Sequence, residues 1–127
     1  MNRNISVLCD YGLDDAVASI YILENADKFD KIDFLAVAGN FPLDISFRNL
    51  KRLLSNYPDL PENVRIVDTS SIIQNEENIP HIHGSDGMGD VLPLEYNYVG
   101  EVIKYDEWLS SVDSSYTILS LGPCTVT

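Results

Sequence analysis

The sequence predicts an α/β fold: an open, mainly parallel, Rossmann-like sheet with crossover helices. Two observations carry this expectation. Short β-prone apolar runs alternate with stretches whose apolar residues recur every three or four positions. Three of the four runs are followed by a glycine that can turn the chain into the next element. A length of 127 residues, 45% of them apolar and 22% charged, is one domain's worth of ordinary globular sequence. A chain of that size buries roughly two thirds of the surface it exposes when unfolded, so a real core is expected.

Each element follows in order. Ile5 to Cys9 is nearly continuous in apolar character, as a strand covered on both faces must be, and reads as a central parallel strand. Gly12 turns the chain, and Leu13, Ala16, Val17, Ile20, Ile22 and Leu23 mark a helix with one broad buried face. Ile32 to Ala38 is a second buried strand, broken by Gly39 and Asn40. Ile45, Phe47, Leu50, Leu53 and Leu54 form a second helical stripe that must stop before Pro58. Val64 to Val67 is a third strand, and Tyr116 to Leu121 a fourth that ends at Gly122-Pro123. Between Asp68 and Lys104 the periodicity fails among glycines and prolines, which predicts a long functional loop and the most mobile part of the chain. A short helix through Glu107, Trp108 and Leu109 follows it, and Trp108 is expected to pack rather than to stack on a ligand.

Charge narrows the function classes. Twenty acidic residues against eight basic ones give a net charge of −12, which repels a phosphate backbone or an anionic membrane. After Arg65 the single basic residue is Lys104, so the acidity concentrates in the second half; such a half either binds cations or lacks a complementary region. The longest apolar runs are too short to span a bilayer or to form a signal-peptide core. A soluble, cytoplasmic chain is expected, with no nucleic-acid or membrane partner and with Cys9 and Cys124 both reduced.

In open parallel sheets, ligands sit beyond the carboxyl ends of the strands, where the loops into the helices gather. Asp10, Asp14 and Asp15 follow the first strand, Gly39 and Asn40 the second, and Gly122 to Thr125 the fourth. Three carboxylates, a carboxamide and a carbonyl-rich turn on one rim are the hard oxygen donors that a divalent cation such as Ca²⁺ requires. Local chemistry leaves a plainer alternative open, because one of Asp14 and Asp15 could cap the helix and meet its dipole. Asn40 after Gly39 is an ordinary turn pair as well. His81 and His83 have no Cys or third His at zinc spacing, and the Gly84, Gly87, Gly89 pattern does not follow a strand as a dinucleotide fingerprint would.

Four landmarks, taken together, resemble the amino-terminal part of the inosine-uridine preferring nucleoside hydrolases. The family's opening strand runs into D-x-D-x-G-x-D-D, whose latter part is matched by Asp10-Tyr11-Gly12-Leu13-Asp14-Asp15. Its G-N before a helix with R-N and paired leucines is matched by Gly39-Asn40 and by Arg48-Asn49 through Leu54. Its H-G-x-x-G-x-G loop is matched by His83 to Gly89, and its L-G-P-L-T-N turn by Leu121 to Thr125, with Val126 in place of the asparagine.

The resemblance implies Ca²⁺-dependent hydrolysis of the N-glycosidic bond of ribonucleosides to base and ribose. Carried over, Asp10 would ligate Ca²⁺ and act as general base, Asp15 and the Thr125 carbonyl would be further ligands, and Asp14 would bind the ribose. Asn40 would orient water and sugar, and His83 would face the base or the 5′ end of the sugar. A small-molecule ribonucleoside partner and a homo-oligomer are implied as well. Two departures stand out. Leu8 replaces the first acid of D-x-D, and Tyr11 the usual proline. The chain also stops at Thr127, short of the family's carboxy-terminal half, so residues 1–127 are expected to be a single, incomplete domain, inactive alone and with an open edge on the fourth strand. The competing reading is a non-catalytic cation- or ribose-binding module derived from the family. A phosphoacceptor domain of the receiver type also uses an acidic pair after its first strand, but the lysine it needs near the last strand is absent, since no Lys follows Lys104.

Overall fold

The computed structural model describes residues 3–10, 13–37, 43–70, 98 and 100–121. Five parallel strands form one sheet: β1 (Asn4–Cys9), β2 (Lys31–Ala36), β3 (Val64–Asp68), β4 (Glu101–Lys104) and β5 (Tyr116–Ser120). Their spatial order is β4-β3-β2-β1-β5. Helix α1 (Leu13–Glu24) joins β1 to β2, α2 (Leu43–Ser55) lies between β2 and β3, and α3 (Tyr105–Ser111) lies between β4 and β5. The α/β fold with a parallel sheet is therefore as the alternation of patterns predicts.

β2 holds the centre of this order, and β1, expected there from its apolar run, stands one strand in from the edge: it pairs with β2 on one side and β5 on the other, and all six of its residues are buried. Side chains alternate across the sheet. Ile5, Val7 and Cys9 join Ile32, Phe34, Ala36, Val64 and Ile66 in a core that α1 and α2 cover with Ala16, Ile22, Leu23, Leu50, Leu53 and Leu54. Leu8, Leu35, Val67 and Ile103 point the other way, into a smaller cluster closed by Trp108 of α3. Trp108 is 2% exposed and its indole Nε1 donates to Ser6 Oγ at 2.9 Å, which satisfies the one polar atom such a ring must bury. On the same face Asp33, fully buried, accepts two hydrogen bonds from its register neighbour Arg65, at 2.8 and 3.1 Å. That fork holds the guanidinium charged, its pKa raised first by the bond to Asp33.

Three further expectations need correction. The apolar residues of α1 do not share one buried face: Ala16, Ile22 and Leu23 are buried, whereas Val17 is 63% and Ile20 39% exposed. The buried side of α1 runs through Asp15, Ser19 and Ile22, and nothing among the described residues covers the other side. On α2 the stripe is likewise rotated. Ser46, Asn49 and Arg52 lie on the buried side with Leu50, Leu53 and Leu54, while Ile45 and Phe47 are only partly buried. Finally, β4 stands where a loop was expected. It is a four-residue edge strand with one buried residue, Ile103, and so carries too little periodicity to be read from sequence.

β5 forms the other edge, and its exposed, uncharged residues match the open strand that the sequence suggests. Cys9 is buried in the core, and Cys124 lies outside the described residues, as does most of the long loop expected between Asp68 and Lys104. Among the described residues no helix is long and apolar enough to cross a membrane.

Tyr98 packs against the α1/α2 core and donates its hydroxyl to the Glu101 carbonyl at 2.9 Å. Burial, helped by the charge of Glu101, pushes its pKa from 10 up to about 12. The folded state thus holds the phenolic proton more tightly than the unfolded chain does, so this contribution to stability is complete below the unfolded pKa and is lost as pH rises towards the folded one. Urea denaturation followed by circular dichroism should show stability falling from about pH 10 to about pH 12, and falling less steeply in Tyr98→Phe. An equal slope in the two proteins would count against the assignment.

Candidate functional site

The carboxyl end of β1 is built by three separate segments. As the sheet ends, the Leu8 carbonyl accepts from Leu121 N–H at 2.8 Å and the Cys9 carbonyl from Val37 N–H at 2.9 Å. One residue further, the Asp10 carbonyl accepts from Ser46 Oγ at 2.7 Å. Asp10, half-buried, is therefore the first residue to leave the sheet, at a rim whose backbone is fixed from both neighbouring strands and from α2.

Asp14 and Asp15 occupy the first turn of α1, where unpaired helix N–H groups favour negative charge. Successive helix positions differ by about 100°, so the two cannot face the same way. Asp15 turns towards the sheet and is 5% exposed, whereas Asp14 is exposed to solvent. Asp10 and the two helix acids thus flank the short link out of β1. Asn40, His83 and Thr125 lie outside the described residues, as do Tyr11 and His81.

The donor chemistry of Asp10 and Asp15 fits a hard divalent cation, since both offer carboxylate oxygens at the strand's end. Among the described residues no group of three or more His, Cys, Asp or Glu comes together as a metal site. Further ligands would have to be backbone carbonyls, water or residues beyond the described set.

Two features of the rim carry no signal in the sequence analysis. Ser46 is one, because a serine within a helical stripe looks like a gap in it; its spacing of three, four and seven from Asn49, Leu50 and Leu53 places it on the buried face. The other is the end of β3. A cavity of about 540 Å³ opens there between Leu43, Asp44, Phe47, Asp68 and Ser70. Asp68 and Ser70 also line a smaller hollow of about 250 Å³ with Lys104, Tyr105 and Asp106. Thr69, between them, is buried and donates to the Ala36 carbonyl at 2.6 Å, locking the end of β3 to the end of β2.

The sequence model of the inosine-uridine preferring nucleoside hydrolases matches residues 5–126. The chain belongs to this family. An inosine-uridine preferring nucleoside hydrolase of Leishmania major is 31% identical over 91 residues, covering 72% of this chain and 29% of the relative. This chain therefore aligns with less than a third of that relative's length.

Against the family's D-x-D pattern, the departure at Leu8 is built into the packing. Leu8 is fully buried, and its neighbours across the sheet and beneath α3 are Leu35, Val37, Val67, Ile103 and Trp108. An acid there would face an apolar cluster with no charged partner in it. Leu8→Asp should destabilise the chain by more than about 3 kcal/mol, the cost of a buried, unpaired carboxylate. Urea denaturation would measure it. A loss below about 1 kcal/mol would mean that the family's acid can still be housed here.

Proposed function

We propose that this chain carries the cation- and ribose-binding part of a ribonucleoside N-glycosyl hydrolase, with Ca²⁺ as the cation. The family match across residues 5–126, with Asp10 just beyond β1 and Asp14 and Asp15 in the first turn of α1, is what supports the reading.

In this proposal Asp15, turned inwards and fixed on α1, holds the cation together with Asp10, and the Thr125 carbonyl completes their side of the site. Asp14, open to solvent, accepts hydrogen bonds from ribose hydroxyls. A bound Ca²⁺ would orient the sugar and the attacking water and make that water more acidic. Asp10 takes a proton from the water as its oxygen bonds to the anomeric carbon; the bond from that carbon to the base nitrogen breaks, the base leaves with its electron pair and takes a proton from solvent, and Asp10 returns its proton to solvent. Asn40 orients water and sugar, and His83 faces the base or the 5′ end. The substrate class is a small ribonucleoside, such as inosine or uridine, and assembly as a homo-oligomer in the cytoplasm is part of the same reading.

Two carboxylates and one carbonyl are fewer than the roughly six to eight oxygens that Ca²⁺ takes, so in this proposal the stretch of chain binds the ion weakly and does not turn over alone. The apolar setting of Leu8 favours a second reading, a binding module without catalysis.

Calorimetric titration of Ca²⁺ into the purified chain should give weak, saturable binding that Asp10→Asn abolishes. Binding indifferent to Asp10 would sink the proposed site. Release of base from inosine and uridine by the product of the whole gene, also lost in Asp10→Asn, would support the hydrolase over the binding module. Ribose and Ca²⁺ binding without base release would favour the module.

A further inference from the structure

Three consecutive carbonyls at the end of β1, those of Leu8, Cys9 and Asp10, are each held by a different part of the chain. The first two bonds, from Leu121 and Val37, continue the sheet's own ladder. At Asp10 the ladder has run out, and the third donor is a side chain, Ser46 on α2. A serine hydroxyl within a helix ordinarily bonds a carbonyl three or four residues earlier on the same helix. Ser46 instead reaches a carbonyl 36 residues away at 2.7 Å, and it is fully buried.

We infer that Ser46 is a positioning residue for Asp10, whose carboxylate it presents to the cation by fixing the peptide plane that carries it. The inference rests on the proposed role of Asp10 as a cation ligand. Its physical basis is the rotation of that plane. With the Asp10 carbonyl held against α2, the orientation of the peptide plane at the end of β1 is set, and with it the direction in which the Asp10 Cα carries its side chain. Released, the carbonyl could turn to water, and the carboxylate would have to be ordered again each time a cation binds. Groups that orient a ligand in this way govern metal affinity without touching the metal. Ser46 also adds no charge, so it can stiffen the rim without altering the electrostatics of an already acidic surface.

The test compares wild type, Ser46→Ala, Ser46→Cys, Ser46→Thr and Asp10→Asn by Ca²⁺ calorimetry and, separately, by thermal unfolding in EDTA. Ser46→Ala should weaken Ca²⁺ binding by roughly tenfold. Ser46→Thr, which keeps the hydroxyl, should hold near-wild-type affinity. Ser46→Cys preserves the shape of the site with only a weak donor and should weaken Ca²⁺ as Ala does, which keeps the test open should the alanine variant unfold. A purely structural role predicts a different outcome: a lower unfolding temperature in EDTA for Ala and Cys, with Ca²⁺ affinity unchanged. That result overturns the inference. If Asp10→Asn leaves Ca²⁺ binding intact, the proposed role of Asp10 fails and the inference with it; if Asp10→Asn abolishes binding while Ser46→Ala does not affect it, only the role of Ser46 is refuted.

Discussion

The rest of the structure depends on the complete enclosure of β1. It is paired along both edges, by β2 and β5, and covered on both faces, by α1 and α2 on one and by α3 on the other. A strand so enclosed has no freedom to slip, because a shift of one residue would exchange Val7 and Cys9 for Ser6 and Leu8 on the larger core. The position where the chain emerges is therefore fixed, and Asp10 is the residue that emerges. An acid one position earlier, in place of Cys9, would be buried in the sheet. The candidate site is thus a consequence of where apolar sequence ends, before any question of chemistry arises.

The two faces achieve this enclosure differently. The α1/α2 side carries the larger apolar cluster, from Ile5 through Phe34 to Leu54, with Ser46, Asn49 and Arg52 of α2 buried beside it. The α3 side is thinner and mixes apolar packing with polar pairs, Trp108 with Ser6 and Arg65 with Asp33. Among the described residues seven residues of helix cover it, and the bond from Trp108 to Ser6 adds a specific partner to that contact. A directional bond fixes α3 over the sheet where contact alone would leave it free to slide, and the register pairing of Asp33 with Arg65 ties β2 to β3 at one position rather than at several near-equivalent ones.

What the sequence discloses, and what it conceals, follows from the same physics. β1, β2 and β3 are legible because strands buried on both faces read as largely apolar runs, interrupted at Ser6, Asp33 and Arg65, and α2 because paired leucines repeat with the helical period. β4 is hidden because an edge strand of four residues needs only Ile103 to be apolar. The outer side of α1 misleads because Val17, Ile20 and Tyr21 are apolar yet exposed, so periodicity alone cannot say which side is buried. At the site, the sequence puts Asp10, Asp14 and Asp15 after the first strand, and the structure has Asp10 just beyond β1 and the other two in the first turn of α1. Ser46 could not, since its importance lies in a bond to a residue 36 positions away and in no local pattern.

Asp14 and Asp15 show how geometry separates roles that sequence leaves equivalent. Both stand in the first turn of α1 and both meet the positive end of its dipole, so a capping argument assigns them the same value. Burial does not. Asp15 faces the sheet with 5% of its surface accessible, held on the side of α1 that also carries Ser19 and Ile22. A carboxylate so fixed loses little further freedom when it takes a ligand, which suits the proposed task of holding an ion in one place. Asp14 faces water, where it can meet a hydroxylated molecule arriving from solvent and release it again. The rotation between neighbouring helix residues is thus compatible with the proposed division of labour, which gives the inward acid to the ion and the outward one to the sugar.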